Sequence, residues 1–375
     1  MLPEMRYIEN EILPMLRERA AKHEASAQKQ LRQWRGEKGV LSLLLSVNDL
    51  PEVKKLPVYN NVEVHYDVEK MFVNQLRGAL TTAMADGDSV PSVRANVGCG
   101  ALCTLVGGLK QTFFPDKMPW LLKHLEEDEL LEMTEESIEE SDEFKMGLEQ
   151  MRFMKEMFKG TGVCVYPMDL QGPIDMAHLL MGDEFFYALY DDPDLVHHVM
   201  RLATALDIYG MEKCLEIIQP TDYVCHYNNL VIPAATPLKV SEDTSTLLSR
   251  EHIEEFMLPY TKQLLDHFGG GYVHYCGDNK HLLEIVPYIE NNIGLNFGNP
   301  ERHDPKSVLQ TLASINKCYY GIFRRNVGDE IVEYTVAEQV RLSKREDGAF
   351  NSFMHVSCAR DEQQRIMDEA AEAML

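Results

Sequence analysis

From about residue 90 onward, short runs rich in β-branched and aromatic residues alternate with longer stretches of helical periodicity, and this alternation constrains the fold most. Candidate strands are Ser92–Val97, Gly162–Met168, Asp222–Tyr227, Tyr272–Cys276, Asn292–Phe297, Cys318–Phe323 and Asn351–Val356. Helical stretches such as Ser249–Phe268 and Asn279–Asn291 separate most of them, and Gly172-Pro173 opens another. Strands joined by helices run parallel through right-handed crossovers. Roughly seven such units predict an α/β fold of the (β/α)8 TIM-barrel type, distorted, rather than an open sheet.

The first part of the chain reads differently. Met1 to about Lys38 and Asn61–Met84 are helical in pattern, with two prolines between Asn48 and Tyr59 breaking it. We therefore expect a helical N-terminal extension over residues 1–89 and the barrel over 90–375. No repeat or low-complexity linker interrupts either part.

The formal charge of −24 argues against nucleic acid or an anionic membrane as partner, because phosphate recognition needs clustered Lys and Arg. Much of the acid lies between Glu126 and Glu149 and reads as a solvated helical face. The first forty residues carry charge throughout, and no apolar stretch approaches the ~20 residues of a membrane span. A cytoplasmic protein with its eight cysteines reduced is the expectation.

Several candidate strands end in polar residues: Asp169, Asn228, Cys276, Asn296, Arg324 and Cys358. In a barrel of this type the C-terminal strand ends carry the site. His274 and Cys276 stand two residues apart, so a strand points both to one face. With Cys358 from another strand end they make one nitrogen and two sulfurs, a set that borderline-soft zinc accepts with a position left open. Softer candidates for substrate contact are Asp169, Gln171, Asn228, Asn229, Asp243, Asn296 and Arg324. Asn228 and Asn229 are equally suited to a turn, and Asp243 to a helix cap or a fourth zinc contact. Arg324 would suit an anionic substrate tail. His226, His355, Cys99 and Cys103 read as packed core, and Cys318, a rival third ligand, begins its strand and so sits at the wrong end of a barrel.

Leu170-Gln171-Gly172-Pro173, Leu189-Tyr190-Asp191-Asp192-Pro193, Leu248-Ser249-Arg250-Glu251-His252, Phe256-Met257-Leu258-Pro259-Tyr260, His274-Tyr275-Cys276-Gly277-Asp278 and Asn292-Ile293-Gly294-Leu295-Asn296 together resemble the uroporphyrinogen decarboxylase superfamily. Over roughly residues 90–360 the chain is more similar to the cobalamin-dependent methyltransferase branch. The decarboxylases carry an arginine-rich N-terminal segment that residues 1–100 do not match, so porphyrinogen decarboxylation is not expected. The methyltransferase resemblance implies zinc held by His274, Cys276 and Cys358, although Ser357 and Ala359 replace the glycines that flank the last ligand in the family. It implies methyl transfer between a corrinoid (methylcobalamin) and a small molecule, most naturally a thiol acceptor. Asp-x-His-x-x-Gly is absent, so the corrinoid would sit on a separate partner protein. Demethylation of a methoxy compound, or a non-catalytic or decarboxylase-like binding barrel, are the alternatives. A homodimer through the N-terminal arm is a further expectation.

Overall fold

The first strand of the chain pairs with one of the last. In the computed structural model, which describes residues 1–375 except the Asn228 side chain, the strands that frame the site are Leu43–Val47 (β1), Ser92–Val93 (β2), Cys164–Val165 (β3), Leu238–Ser241 (β4), Gly271–Tyr275 (β5), Asn292–Phe297 (β6), Cys318–Tyr320 (β7) and Ser352–Cys358 (β8). Six of them form one sheet in the order β1-β8-β7-β6-β5-β4. Every pairing in it is parallel. The short strands β2 and β3 pair parallel with each other beside it.

Hydrogen bonds tie that pair to both ends of the sheet. Asp88 N donates to Leu43 O (2.7 Å) and Ser89 Oγ to Leu45 O (2.8 Å), just before β2. Beyond β3, Gly172 N donates to Ser241 O (2.6 Å) at the end of β4. A Cβ on Gly172 would press on the Ser241 carbonyl and on Glu242, so only glycine allows this approach.

Strand β1 lies within the stretch read as a helical extension. All five of its residues are buried, which is how a strand covered on both faces looks in sequence. Leu43, Leu45 and Val47 join the large core on the helix side, and Leu44 joins a smaller cluster with Tyr272, Tyr320 and Phe353. Helices supply the other half of the main core: Leu13–Trp34 (α1), Val68–Ala83 (α2), Pro173–Met181 (α3), Pro193–Ile218 (α4) and Leu258–Phe268 (α5). Helix α2 shows why they form. Asp67 caps it by accepting from Glu69 N and Lys70 N, and Phe72, Leu76 and Leu80 recur on one buried face. Burying each of those side chains contributes about 1.5–3 kcal/mol.

One predicted barrel strand is corrected. Tyr223–His226 is extended but folds back antiparallel on Leu230–Pro233, with Asn229 in the left-handed region (φ 69°) at the turn. Leu238–Ser241 takes the sheet position instead. The hairpin has its own apolar side chains to bury, and Val224, Leu230 and Ile232 insert between the N-terminal halves of β1, β5, β7 and β8. The Trp34 indole N–H of α1 holds it there through Val231 O (2.6 Å). Among the described residues no helix is long and apolar enough to cross a membrane.

Candidate metal centre

Strand alternation does most of the work in building the site. Val273 and Tyr275 of β5 face the helix-side core, so Tyr272 and His274 point the other way, into a cavity of about 300 Å³. Cys276, two residues on, follows His274: its Sγ lies 3.5 Å from His274 Nε2. The loop after β4 brings the third group. Asp243 Oδ1 accepts from Cys276 N (2.7 Å) and stands 3.6 Å from His274 Nε2. That loop is pinned from α3, where the Asp175 carboxylate accepts from Asp243 N (2.9 Å) and Thr244 N (2.6 Å). Burial, with Asp243 close by, pushes the Asp175 carboxyl up to about 7.

The ligating atoms of Asp243, His274 and Cys276 all lie within 4.8 Å of one another, and among the described residues no other trio of His, Cys, Asp or Glu does so. The orientation of the imidazole is fixed by a chain of bonds. Asn296 Nδ2 donates to Tyr320 O (2.6 Å), which leaves its Oδ1 to accept from His274 Nδ1 (2.5 Å). The proton therefore sits on Nδ1 and the Nε2 lone pair faces Cys276 and Asp243, the arrangement a metal-ligating histidine needs. Burial and then Lys239 lower the His274 pKa, keeping the ring neutral. Burial and the Asp243 carboxylate push the Cys276 thiol up to about 12. A dication among the three reverses that balance and favours the thiolate. The donor set of one oxygen, one nitrogen and one sulfur is compatible with zinc. Gly298 gives the thiol its room, since a Cβ there would collide with Cys276 Sγ.

The other residues anticipated from sequence divide. Asp169 and Gln171 line the cavity, as do Asp243, His274 and Asn296. Burial alone would raise the Asp169 pKa, but Lys239 and Arg94 outweigh it and hold the carboxyl at about 2. Asn296 touches the cavity and orients His274. The Asn228 side chain lies outside the described residues. Asn229 makes the hairpin turn, its carbonyl accepting from Val90 N (3.3 Å) and Gln30 Nε2 (3.3 Å).

Two expectations are corrected. Arg324 stands on an exposed hairpin, paired with Glu333 at 3.1 Å, because the sheet strand stops at Tyr320 and the chain turns away at Gly321 (φ 135°). Cys358 is buried in the helix-side core with its Sγ 3.9 Å from Ser46 O, and does not join Asp243, His274 and Cys276. It pairs in register with Val47, whose side chain faces the same core. Cys318 likewise lies with Leu44 and Tyr272 at the start of its strand.

Sequence reasoning passed over Arg94 and Lys239. Arg94 Nη1 is 3.1 Å and Lys239 Nζ 3.5 Å from Asp169 Oδ1, inside the cavity. The available signal was a single cation within each of two otherwise apolar or small-residue runs, Ser92–Val97 and Leu238–Ser241.

No protein-family model matches the chain, and no curated protein does. Among solved structures, a methyltransferase from Methanosarcina mazei aligns with a TM-score of 0.63 at 13% identity, over 93% of this chain and 98% of that one. A xylose isomerase domain protein from Planctomyces limnophilus reaches a TM-score of 0.29 at 13% identity, over 60% and 80% of the two chains, which is too distant to inform the fold. The first likeness shows a shared fold and no more.

Proposed function

We propose that the chain is a zinc-dependent methyltransferase moving a methyl group between a corrinoid carried by a partner protein and a small thiol. In this reading β2 and β3 complete the six-stranded sheet into a distorted (β/α)8 barrel, with the site at its C-terminal mouth. The observation that carries it is the convergence of Asp243, His274 and Cys276 on one point beside the cavity, at the C-terminal ends of β4 and β5. The likeness of fold to a methyltransferase supports it.

Bound there, zinc would lower the pKa of a substrate thiol so that its anion exists near neutral pH. The chain's own residues prepare the place. His274 presents Nε2, Asn296 prevents the ring from turning, and Asp175 holds the Asp243 loop against β5. Tyr272 and Tyr320 line the cavity. A corrinoid protein docking over the mouth, in the cytoplasm, belongs to the same proposal.

One observation favours the reverse reaction, demethylation of a methyl ether. Asp243 supplies a carboxylate where Cys358 was expected to supply a second thiolate, and a harder ligand set polarises an ether oxygen more strongly. The test is metal analysis of full-length protein supplied with zinc, followed by assay of methyl transfer from free methylcobalamin to thiols and, separately, from methoxy compounds to free cob(I)alamin. About one tightly held zinc per chain with methyl transfer to a thiol supports the first reading. Demethylation alone moves the conclusion to the second, and no retained zinc overturns both.

A further inference from the structure

The cavity beside the metal centre also holds a cluster of charges that metal binding does not use. Asp169 Oδ1 faces two cations, Arg94 Nη1 at 3.1 Å and Lys239 Nζ at 3.5 Å. The three side chains are only 16%, 19% and 24% exposed. One carboxylate balances one of the two cations. The other acid on the cavity, Asp243, accepts from Cys276 N and turns to His274 within the proposed metal centre. A positive charge is left over in a half-enclosed place, where an unpaired charge is costly.

The remaining hydrogen-bond capacity points the same way. Arg94 Nη2 donates to Asn96 Oδ1 (3.2 Å) and Nη1 to Asp169, two acceptors for a group with five N–H donors. Lys239 Nζ donates to Ser241 Oγ (2.5 Å) and meets Asp169, again short of its three. The aromatic walls do not suit a competing ligand class. The guanidinium lies 5.9 Å from the Tyr166 ring centroid and 5.8 Å from that of Tyr227, so the faces that would attract a methylated ammonium already carry a cation.

We propose that Arg94 and Lys239 form an anion subsite that anchors the carboxylate of the small substrate, whose other end reaches the metal centre. This rests on the functional reading above in that the far end is the reacting thiol or ether. It replaces Arg324 as the anchor for an anionic tail. A cavity of about 300 Å³ admits a short acid of a few carbons and not a large cofactor.

The experiment is calorimetric titration of zinc-supplied full-length protein with 3-mercaptopropionate, 2-mercaptoethanol and propionate, zinc content being measured on the same samples. The expected result is binding of 3-mercaptopropionate at least about tenfold tighter than 2-mercaptoethanol, since a hydrogen bond to a charged group in such a site is worth about that much. Lys239→Met and Arg94→Gln should each bring the ratio towards one while zinc content stays as in the wild type. Equal affinities in the wild type, or a preference that survives both substitutions, overturn the subsite. Arg94→Gln leaves Asp169 less well paired, so folding of both variants is checked by circular dichroism, and the wild-type ratio decides if either unfolds. Loss of zinc with retained binding of propionate overturns the metal reading and supports the subsite, whereas retained zinc with equal affinities does the opposite.

Discussion

Two stretches of the sheet begin almost alike and end on opposite faces. In β5 and the residue after it the order is His274-Tyr275-Cys276, and in β8 it is His355-Val356-Ser357-Cys358. One added residue separates histidine from cysteine in the second. Side chains on a strand alternate, so the first spacing brings the thiol to the imidazole, with Sγ 3.5 Å from Nε2, and the second sends the thiol to the helix-side core. Residue type and position along the sheet are therefore insufficient to bring a side chain to the site: the parity of the spacing decides.

The sharpest way to break this comparison is to remove each thiol in turn. Cys276→Ser should abolish zinc retention and any methyl transfer, while Cys358→Ser should keep about one zinc per chain by elemental analysis. Equal loss in both would return Cys358 to the ligand set.

A second expectation concerns acid stability and tests how dry the inward face is. His226, on the wall of the cavity, donates from Nε2 to Pro237 O (2.8 Å) and is buried, and burial pushes its pKa from 6.5 to about 4. Above pH 6.5 both folded and unfolded chains hold a neutral ring. As pH falls from 6.5 towards 4, only the unfolded chain takes up the proton, so stability declines by about 3 kcal/mol at roughly 1.4 kcal/mol per pH unit. Urea denaturation at pH 7 and pH 4.5 measures this, and His226→Asn should flatten that part of the decline.

Next in size is the support behind His274. Asn296→Ala frees the imidazole to turn and should weaken zinc affinity about 10–100-fold in a chelator competition, with little change in melting temperature. The smallest effect is expected at the other cysteine. Cys358→Ala removes one buried sulfur from the core and should cost roughly 1 kcal/mol in denaturant titration without changing zinc affinity.

Much of the architecture was legible because β3, β5, β6, β7 and β8 each contain a run apolar enough to be seen alone. Strand β1 was missed because Leu43-Leu44-Leu45-Ser46-Val47, buried on both faces, has no alternation to distinguish it from a helical or loop segment. The hairpin strand Tyr223–His226 was recognised as extended and assigned the wrong partner, since pairing depends on residues far away in sequence. At the site, His274 and Cys276 announced themselves by their spacing, and Asp243 and Asn296 by standing at element ends. Arg94 and Lys239 did not, because a lone cation in a strand gives no hint that Asp169 will stand opposite it until the strands are laid side by side.

The hairpin wedged among the N-terminal halves of the strands packs against Tyr272 and Tyr320, and the same two tyrosines line the cavity. The floor of the proposed site therefore rests on a segment that pairs only with itself and adds no strand to the central sheet. A change in the apolar side chains of that hairpin would be felt in the cavity through two aromatic rings, several residues removed from any group that reacts.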